Sequence, residues 1–367
     1  MSKKIRVGII FGGRSAEHEV SIQSAKNIYT ALDKEKYEPV LIGIDRAGSW
    51  HLQESKIFSI KAYNDEIKKT SSSNSGLSIT PGADDSNLIS LQKNPLSGGL
   101  DVAFPILHGT YGEDGTMQGM LKLLNIPFVG AGVLSSAVGM DKEVMKKLLV
   151  SSGLPIAKYM VVKEEEKSVI DFEMVSEVLS SPVFIKPANM GSSVGVSKVK
   201  NQKEFEIAMK TAFSYDNKVL IEEYIPCEEI ECSVLGNDAP IASVPGRVIP
   251  KHEFYSYEAK YMDENGAKLE IPADLPDETI VNVQDLAVKA FKALYCEGMA
   301  RVDFFMHTET KELYINEINT LPGFTKISMY PKLWEASGMS YTELIDRLIK
   351  LAIGRFEKEQ KLKTTRI

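Results

Sequence analysis

Near the C-terminus, Arg301-Val302-Asp303 is followed by Glu317-Ile318-Asn319. Glu317 and Asn319 are two apart in a strand-like run, so their side chains point the same way. A hairpin turn centred on Thr310 sets Asp303 opposite Glu317 on that face. Three oxygen-bearing side chains then converge beside one guanidinium. Oxygen-only ligands suit Mg²⁺ or Mn²⁺ rather than zinc, and paired carboxylates suit metals that bridge nucleotide phosphates. The plainer alternative is a solvated hairpin with an Arg–Asp surface pair. The apolar neighbours Phe304, Phe305, Leu313 and Ile315 favour the metal.

A second constellation is Lys186-Pro187-Ala188-Asn189-Met190-Gly191-Ser192-Ser193-Val194-Gly195. A strand delivers Lys186, and the two glycines let backbone N–H groups approach an anion. Ser192 and Ser193 add donors, so the segment has the chemistry of a phosphate-holding loop, though a plain Gly-Ser hairpin would look similar. A third begins at His108 and runs through Glu113 to Gly115, directly after an apolar strand. The Gly12-Gly13 to Glu19 loop follows the first strand at the same edge. Ligands bind at that edge of an open parallel sheet, although Gly and Asp also make ordinary turns.

Several common chemistries are absent. Phe11-Gly12-Gly13-Arg14-Ser15-Ala16 is not the G-x-G-x-x-G dinucleotide fingerprint, and no Gly-Lys dipeptide exists for a P-loop. His18-Glu19 and His252-Glu253 lack the second histidine of a zinc-protease helix. Cys227, Cys232 and Cys296 have neither redox nor zinc spacing and read as small buried or half-buried thiols of a cytoplasmic chain. The net charge of -7 argues against nucleic-acid binding. No apolar run reaches the roughly 20 residues of a membrane span.

The 367 residues require two or three domains. The first part alternates strands (Ile5–Ile10, Pro39–Ile44, Leu100–Ile106) with a helix over Ser21–Leu32, which predicts a parallel sheet covered on both faces. Residues 61–99 are polar, with loop or hairpin composition. A helix over Asp141–Ser151, capped by Asp141 and ended near Gly153, opens the next unit. That unit has strands at 159–162 and 183–186 around an acidic helix at 164–180. Later strands fall at 219–224, 229–235, 300–306 and 312–318. The charged, aromatic stretch 251–275 has the character of an active-site lid. The fold class is α/β, turning α+β in the C-terminal part. The expected domains are 1–140, 141–216 and 217–367.

The chain resembles the D-alanine–D-alanine ligases of the ATP-grasp superfamily. The matching pieces are FGGRSAEHEVS (11–21), HGTYGEDGTMQG (108–119), GMDK (139–142), KPANMGSSVG (186–195), EAKY (258–261), RVDFF (301–305) and NEINTLPGFT (316–325). They occur in family order over about residues 5–350. The resemblance implies an N-terminal α/β domain followed by a two-part clasp around ATP, in a homodimer. It implies that Glu17 binds the ammonium of the first D-alanine, joined by hydrogen bonds to Ser192 and Tyr261. Lys142 and Lys186 would hold the ATP phosphates. Glu222, Glu223, Tyr224, Ile225 and Glu229 would line adenine and ribose, closed over by Phe254 and Lys260. Asp303, Glu317 and Asn319 would bind two Mg²⁺ or Mn²⁺ ions. Arg301, Gly323 and Ser328 would surround the acyl phosphate and the second carboxylate, with His108 near the second amine.

The chemistry agrees. A carboxylate is a poor electrophile, but phosphorylation by ATP makes an acyl phosphate that an amine can attack. Phosphoryl transfer needs charge neutralisation and positioning more than a protein nucleophile. The acyl phosphate would hydrolyse in open water, which calls for a lid. The sequence names no base for the second ammonium. Tyr261 in EAKY favours an amine acceptor over D-lactate. The rivals are a D-alanine–D-lactate ligase, another ATP-grasp ligase and a non-catalytic nucleotide-binding regulator. The substrate-pocket pieces speak against the second of these, and the complete set Arg301, Asp303, Glu317 and Asn319 against the third. A dehydrogenase is disfavoured by the missing glycine fingerprint.

Overall fold

The computed structural model describes residues 3–58, 77–79, 88–90, 99–250 and 267–363. Phe254, Lys260, Tyr261 and the lid stretch through residue 266 lie outside the described residues, as does most of the polar 61–99 segment.

Strand β1 (Ile5–Gly12) is flanked in parallel by β2 (Tyr37–Ile44) and by a later strand, while β3 (Trp50–Gln53) adds antiparallel to the outer edge of β2. Strands β4 (Leu77–Ile79) and β5 (Leu88–Ser90) pair with each other as a small antiparallel ribbon. The other neighbour of β1 is β6 (Val102–Ile106), which gives the order β3-β2-β1-β6. Both faces of β1 are buried, which explains its unbroken apolar run. Val7, Ile9 and Phe11 pack with Ile22 and Ile28 of the helix His18–Ala31 and with Leu344 and Leu348 of the C-terminal helix. Ile10 and Ile42 pack on the opposite side with Met117 and Leu121. The first helix begins at His18, three residues before the expected start.

The central unit is a second sheet. Strands β7 (Tyr159–Lys163), β8 (Val183–Pro187), β9 (Ser197–Val199) and β10 (Lys218–Glu223) pair antiparallel in the order β7-β10-β8-β9. The expected acidic helix over 164–180 is instead a short 3₁₀ turn, Glu164–Glu166, and a helix, Phe172–Leu179. Asp171 lies between them in an extended conformation, and its carboxylate accepts the Met174 N–H at 2.9 Å. That cap starts a new helix where composition alone suggested a continuous one. The pairing of β10 also bears on the expected boundary at 216, which assigns this strand to the C-terminal unit. We propose that the boundary falls after Glu223 instead.

The C-terminal sheet contains β11 (Cys227–Gly236), β12 (Ile241–Ala242), β13 (Gly246–Pro250), β14 (Ala267–Glu270), β15 (Gly298–His307) and β16 (Leu313–Asn319). Its order is β14-β13-β11-β15-β16, with β12 on β11. Because β14 is a sheet strand, the expected lid over 251–275 must end before Ala267. One face of this sheet packs Ile230, Val302 and Phe304 against Val283, Ala287 and Phe291 of the helix Asp277–Ala293. The opposite face carries the charges.

The helix Tyr341–Glu359 returns to the N-terminal unit, and Arg355 fastens it there. Its guanidinium donates to Gly130 O and Phe128 O, each at 2.8 Å, and lies 4.6 Å from the Phe128 ring centroid. Arg355 is 7% exposed, so its loss leaves two buried carbonyls without a charged donor. At about 1–3 kcal/mol for each orphaned group, Arg355→Met should lower stability by about 2–6 kcal/mol. Urea denaturation with the parent as reference checks this; an unchanged midpoint would mean that water replaces the guanidinium.

Candidate active site

All three units meet at one cavity of about 370 Å³. The N-terminal unit contributes through the turn after β1. Gly12 has φ 93°, and a Cβ there would lie 2.2 Å from Ile44 O, so only glycine allows the turn. The turn brings Glu17 to the first position before the helix His18–Ala31, but its carboxylate caps no N–H there. It faces the cavity and accepts a hydrogen bond from Ser192 Oγ at 2.6 Å. Ser192 and Ser193 have φ 54° and 60°, a left-handed conformation that non-glycine residues rarely adopt outside functional loops. The Gly191–Gly195 loop is thus held in a shape that aims the Ser192 hydroxyl across the domain interface.

His108 and Glu113 complete this side. His108 is buried, with Nδ1 3.7 Å from Glu113 Oε1 and Nε2 3.3 Å from Ser24 Oγ. Burial alone would lower the imidazole, but the contact with Glu113 and the charges of Glu113 and Glu17 raise it above the ordinary 6.5. Burial also pushes the Glu113 carboxyl up; His108 draws it down and the Glu17 charge raises it further. Glu113 also lines the cavity; the sequence placed it only within the loop after the third strand, with no role of its own.

The helix Lys142–Ser151 starts where expected, with the Asp141 carboxylate accepting the N–H groups of Glu143 and Val144 at 3.1 Å each. Lys142 follows the cap, and its ammonium donates to Met190 O at 2.7 Å and lies 3.7 Å from Glu317 Oε2. Burial lowers the Lys142 ammonium, and Glu317 partly restores it. Lys186 is the penultimate residue of β8, with its ammonium 2.6 Å from Glu222 Oε2. Glu222 is buried, and burial's upward push on its carboxyl is outweighed by Lys146 and Lys186, which hold it below the ordinary range.

The C-terminal sheet supplies the remaining charges. Asp303 pairs with Glu317 across β15 and β16, and Arg301 pairs with Asn319, in the register the sequence predicted. A bulge between Asp303 and Phe304 shifts the pairing beyond that point. On the other side of β15, Glu231 of β11 is opposite Asp303. Arg301 chelates Asp303 through two bonds of 2.7 Å and lies 2.9 Å from Glu231 Oε2. Glu231 was also missed, although it stands two residues after Glu229 on the same strand face, which was the available signal. Gly323 is a close approach: a Cβ there would meet Ser328 Oγ at 2.8 Å. The Ser328 hydroxyl accepts the Thr325 N–H at 2.9 Å, folding the loop around the cavity.

Glu17, His108, Lys142, Ser192, Arg301, Glu317, Asn319, Gly323 and Ser328 all line this cavity, and Asp303 lies beneath Arg301. Lys186 and the 222–229 segment do not line it. Glu223 accepts the Lys158 N–H at 2.7 Å, while the Tyr224 ring carries Lys198 Nζ 4.0 Å from its centroid. Ile225 is buried, and Glu229 lies between Val248 and Phe305 in the sheet.

The donor set fits hard divalent cations. Asp303, Glu317 and Asn319 offer only oxygen, and cationic side chains already lie against both carboxylates. Among the described residues, no cluster of three His, Cys, Asp or Glu could hold a metal by itself. Such a partial shell is what Mg²⁺ uses when substrate phosphates and water complete it. No helix among the described residues is long and apolar enough to cross a membrane.

Two family models match successive parts of the chain. A family model described as "D-ala D-ala ligase N-terminus" matches residues 6–131, and "D-ala D-ala ligase C-terminus" matches residues 148–350. A D-alanine–D-alanine ligase of Shouchella clausii is 56% identical over 365 residues, covering 100% of this chain and 99% of the relative. D-alanine–D-alanine ligase A of Escherichia coli K12 is 50% identical over 363 residues, covering 99% and 100%. The solved D-alanine–D-alanine ligase of Coxiella burnetii superposes with a TM-score of 0.85 at 40% identity, covering 98% and 97%. A D-Ala:D-Ser ligase from Enterococcus faecalis also gives 0.85, at 34% identity, covering 95% and 100%.

The His108 environment yields a spectroscopic test. An imidazole raised in the folded state adds stability below its unfolded value and loses it as pH rises through the folded one. Glu113→Gln removes the principal upward influence and leaves burial dominant. The His108 ring, followed by NMR, should then titrate below 6.5 instead of above it. Titration still above that value would assign the effect to Glu17.

Proposed function

The chain belongs to the D-alanine–D-alanine ligase family, and from that premise we propose how its residues carry the family reaction. The enzyme joins two D-alanines with ATP, through a D-alanyl phosphate, to make D-alanyl-D-alanine for peptidoglycan. ADP and phosphate are released. The observation that carries the residue assignment is the Glu17–Ser192 hydrogen bond of 2.6 Å in the cavity that also holds Lys142, Glu317 and Asn319. An ammonium-binding carboxylate and a polyanion site thereby share one enclosure.

In this reading Glu17, oriented by Ser192, accepts the ammonium of the first D-alanine and fixes its carboxylate toward the phosphates. Lys142 and Lys186 hold the nucleotide phosphates, with Glu222, Glu223, Tyr224, Ile225 and Glu229 around the base and ribose. Asp303, Glu317 and Asn319 would hold two Mg²⁺ or Mn²⁺ ions, which when bound offset charge on the transferring phosphoryl group. Arg301 stabilises the acyl phosphate, and Ser328 and Gly323 receive the second carboxylate. Val248, Leu269, Ile327 and Met329 give the cavity an apolar wall that limits water. The resemblance assigns Tyr261, Phe254 and Lys260, which lie outside the described residues, to closure over the substrates. The resemblance extends the reading to a cytoplasmic homodimer.

The acceptor is the point where a second reading has support, because a D-Ala:D-Ser ligase superposes as well as a D-alanine–D-alanine ligase does. Purified full-length protein with ATP, Mg²⁺ and D-alanine should release phosphate and form the dipeptide, while L-alanine should give neither. D-Lactate or D-serine offered beside D-alanine should leave D-alanyl-D-alanine the main product near neutral pH. A dominant depsipeptide or D-alanyl-D-serine product would reassign the acceptor pocket. No phosphate release by folded enzyme would overturn the residue assignment as a whole.

Glu317→Gln removes one ligand charge and should reduce kcat by more than about a hundredfold, as expected when a metal-held charge is lost from phosphoryl transfer. Far-UV circular dichroism should stay that of the parent. Turnover within about tenfold of the parent would exclude Glu317 from the metal site.

A further inference from the structure

One turn after Lys142, the same helix carries a lysine that neither the motifs nor the cavity account for. Lys146 projects from the helix Lys142–Ser151 with a side chain 0% exposed. Its neighbours Met145 and Leu149 belong to the apolar core, so a leucine or methionine would be the ordinary occupant of this position. The Lys146 ammonium lies 3.1 Å from Glu222 Oε1, and the Lys186 ammonium lies 2.6 Å from Glu222 Oε2. Neither Lys146 Nζ nor Glu222 Oε1 has a well-aligned hydrogen-bond partner among the described residues. The contact is therefore one of charge, with the Tyr159 ring centroid 5.8 Å from the ammonium.

A buried ammonium is costly, and Lys186 alone would already neutralise Glu222. The second lysine makes the trio net positive. That surplus has a use only if something anionic comes to Lys186, the member of the trio at the root of the Gly191–Gly195 loop. Lys142, one turn away, feels both Lys186 and Glu222, so the four groups form one electrostatic unit.

We propose that Lys146 is a positioning residue for the nucleotide: by occupying one oxygen of Glu222, it leaves Lys186 with positive charge to offer a phosphate. Without it, Glu222 would claim the Lys186 ammonium wholly. The inference rests on Lys186 being a phosphate ligand. Burial pulls the Lys146 ammonium below its ordinary value, Glu222 draws it back, and the carboxylate is in turn held ionised by both lysines.

Steady-state kinetics of the full-length enzyme test this with K146M, E222Q, K146M/E222Q and K186M. K146M should raise KM for ATP about tenfold while kcat and KM for D-alanine stay within about twofold, the pattern of lost uniform binding. Because Lys146 acts through Glu222, K146M/E222Q should match E222Q within about twofold. Effects of the two substitutions that multiply in the double variant would overturn the proposal, as would an equal loss in kcat for K146M. If K146M fails to fold, K146Q carries the same expectations in a shorter polar side chain. K186M that leaves KM for ATP unchanged would remove the premise; K186M that raises it while K146M does not would overturn this inference alone.

Discussion

Bringing a polyanion to a carboxylate is the constraint from which the rest of the structure follows. ATP, the first D-alanine and the side chains that bind its ammonium all carry charge, and several of those charges repel. The protein separates them by source. Glu17, the proposed ammonium ligand, comes from the edge of a parallel sheet, the lysines from the central unit, and the acidic face from β15 and β16. Ser192 joins the first source to the second over 175 residues of chain. Each sheet can thereby be built for its own core, while the charges meet only in the cavity between them.

The compensation among those groups is nearly internal. Lys142 lies near Glu317, Lys186 and Lys146 near Glu222, and Arg301 near Asp303 and Glu231. Breaking a buried ion pair by removing one partner is strongly unfavourable, whereas exchanging partners is not. Nucleotide phosphates entering with divalent cations offer such an exchange. In the proposed assignment the lysines would pass to phosphate and the carboxylates to metal. The site is stable before the substrates arrive because its own ions occupy one another.

Much of this was legible in the sequence because it rests on period and punctuation. The spacing of Glu317 and Asn319 puts both on one face, and the bulge between Asp303 and Phe304 brings Asp303 opposite Glu317. Asp141 announces its helix by its cap. The misses have a common cause. Lys146, Glu113 and Glu231 carry charge inside segments that periodicity assigns to a helix core, a turn and a strand, and only tertiary contact reveals their partners. The acidic run at 164–166 misled for a related reason. Glutamate favours helix in isolation, but Asp171 offers its own carboxylate to the backbone and restarts the helix there. The expected boundary at 216 separates β10 from the strands it pairs with, because sheet membership is decided by partners distant in sequence.

The fold also explains why a rigid arrangement can serve a reaction with a labile intermediate. Positioning catalysis requires that the reacting groups be held before the chemistry begins. Here the bidentate Arg301–Asp303 contact, the left-handed Ser192–Ser193 pair and the Gly323–Ser328 close approach each fix a side chain through backbone geometry that has few alternatives. Arg355 adds the long-range restraint, holding the C-terminal helix to the Phe128–Gly130 backbone of the N-terminal unit. The central sheet has no such buried guanidinium anchor among the described residues. Its β8–loop segment reaches the N-terminal unit through the Ser192–Glu17 hydrogen bond and the helix through the contact of Lys142 with Met190 O. Adjustment to a bulky nucleotide is therefore best concentrated in the central unit, where moving the sheet carries Lys186 and Ser192 together and leaves the acidic face of β15 and β16 undisturbed.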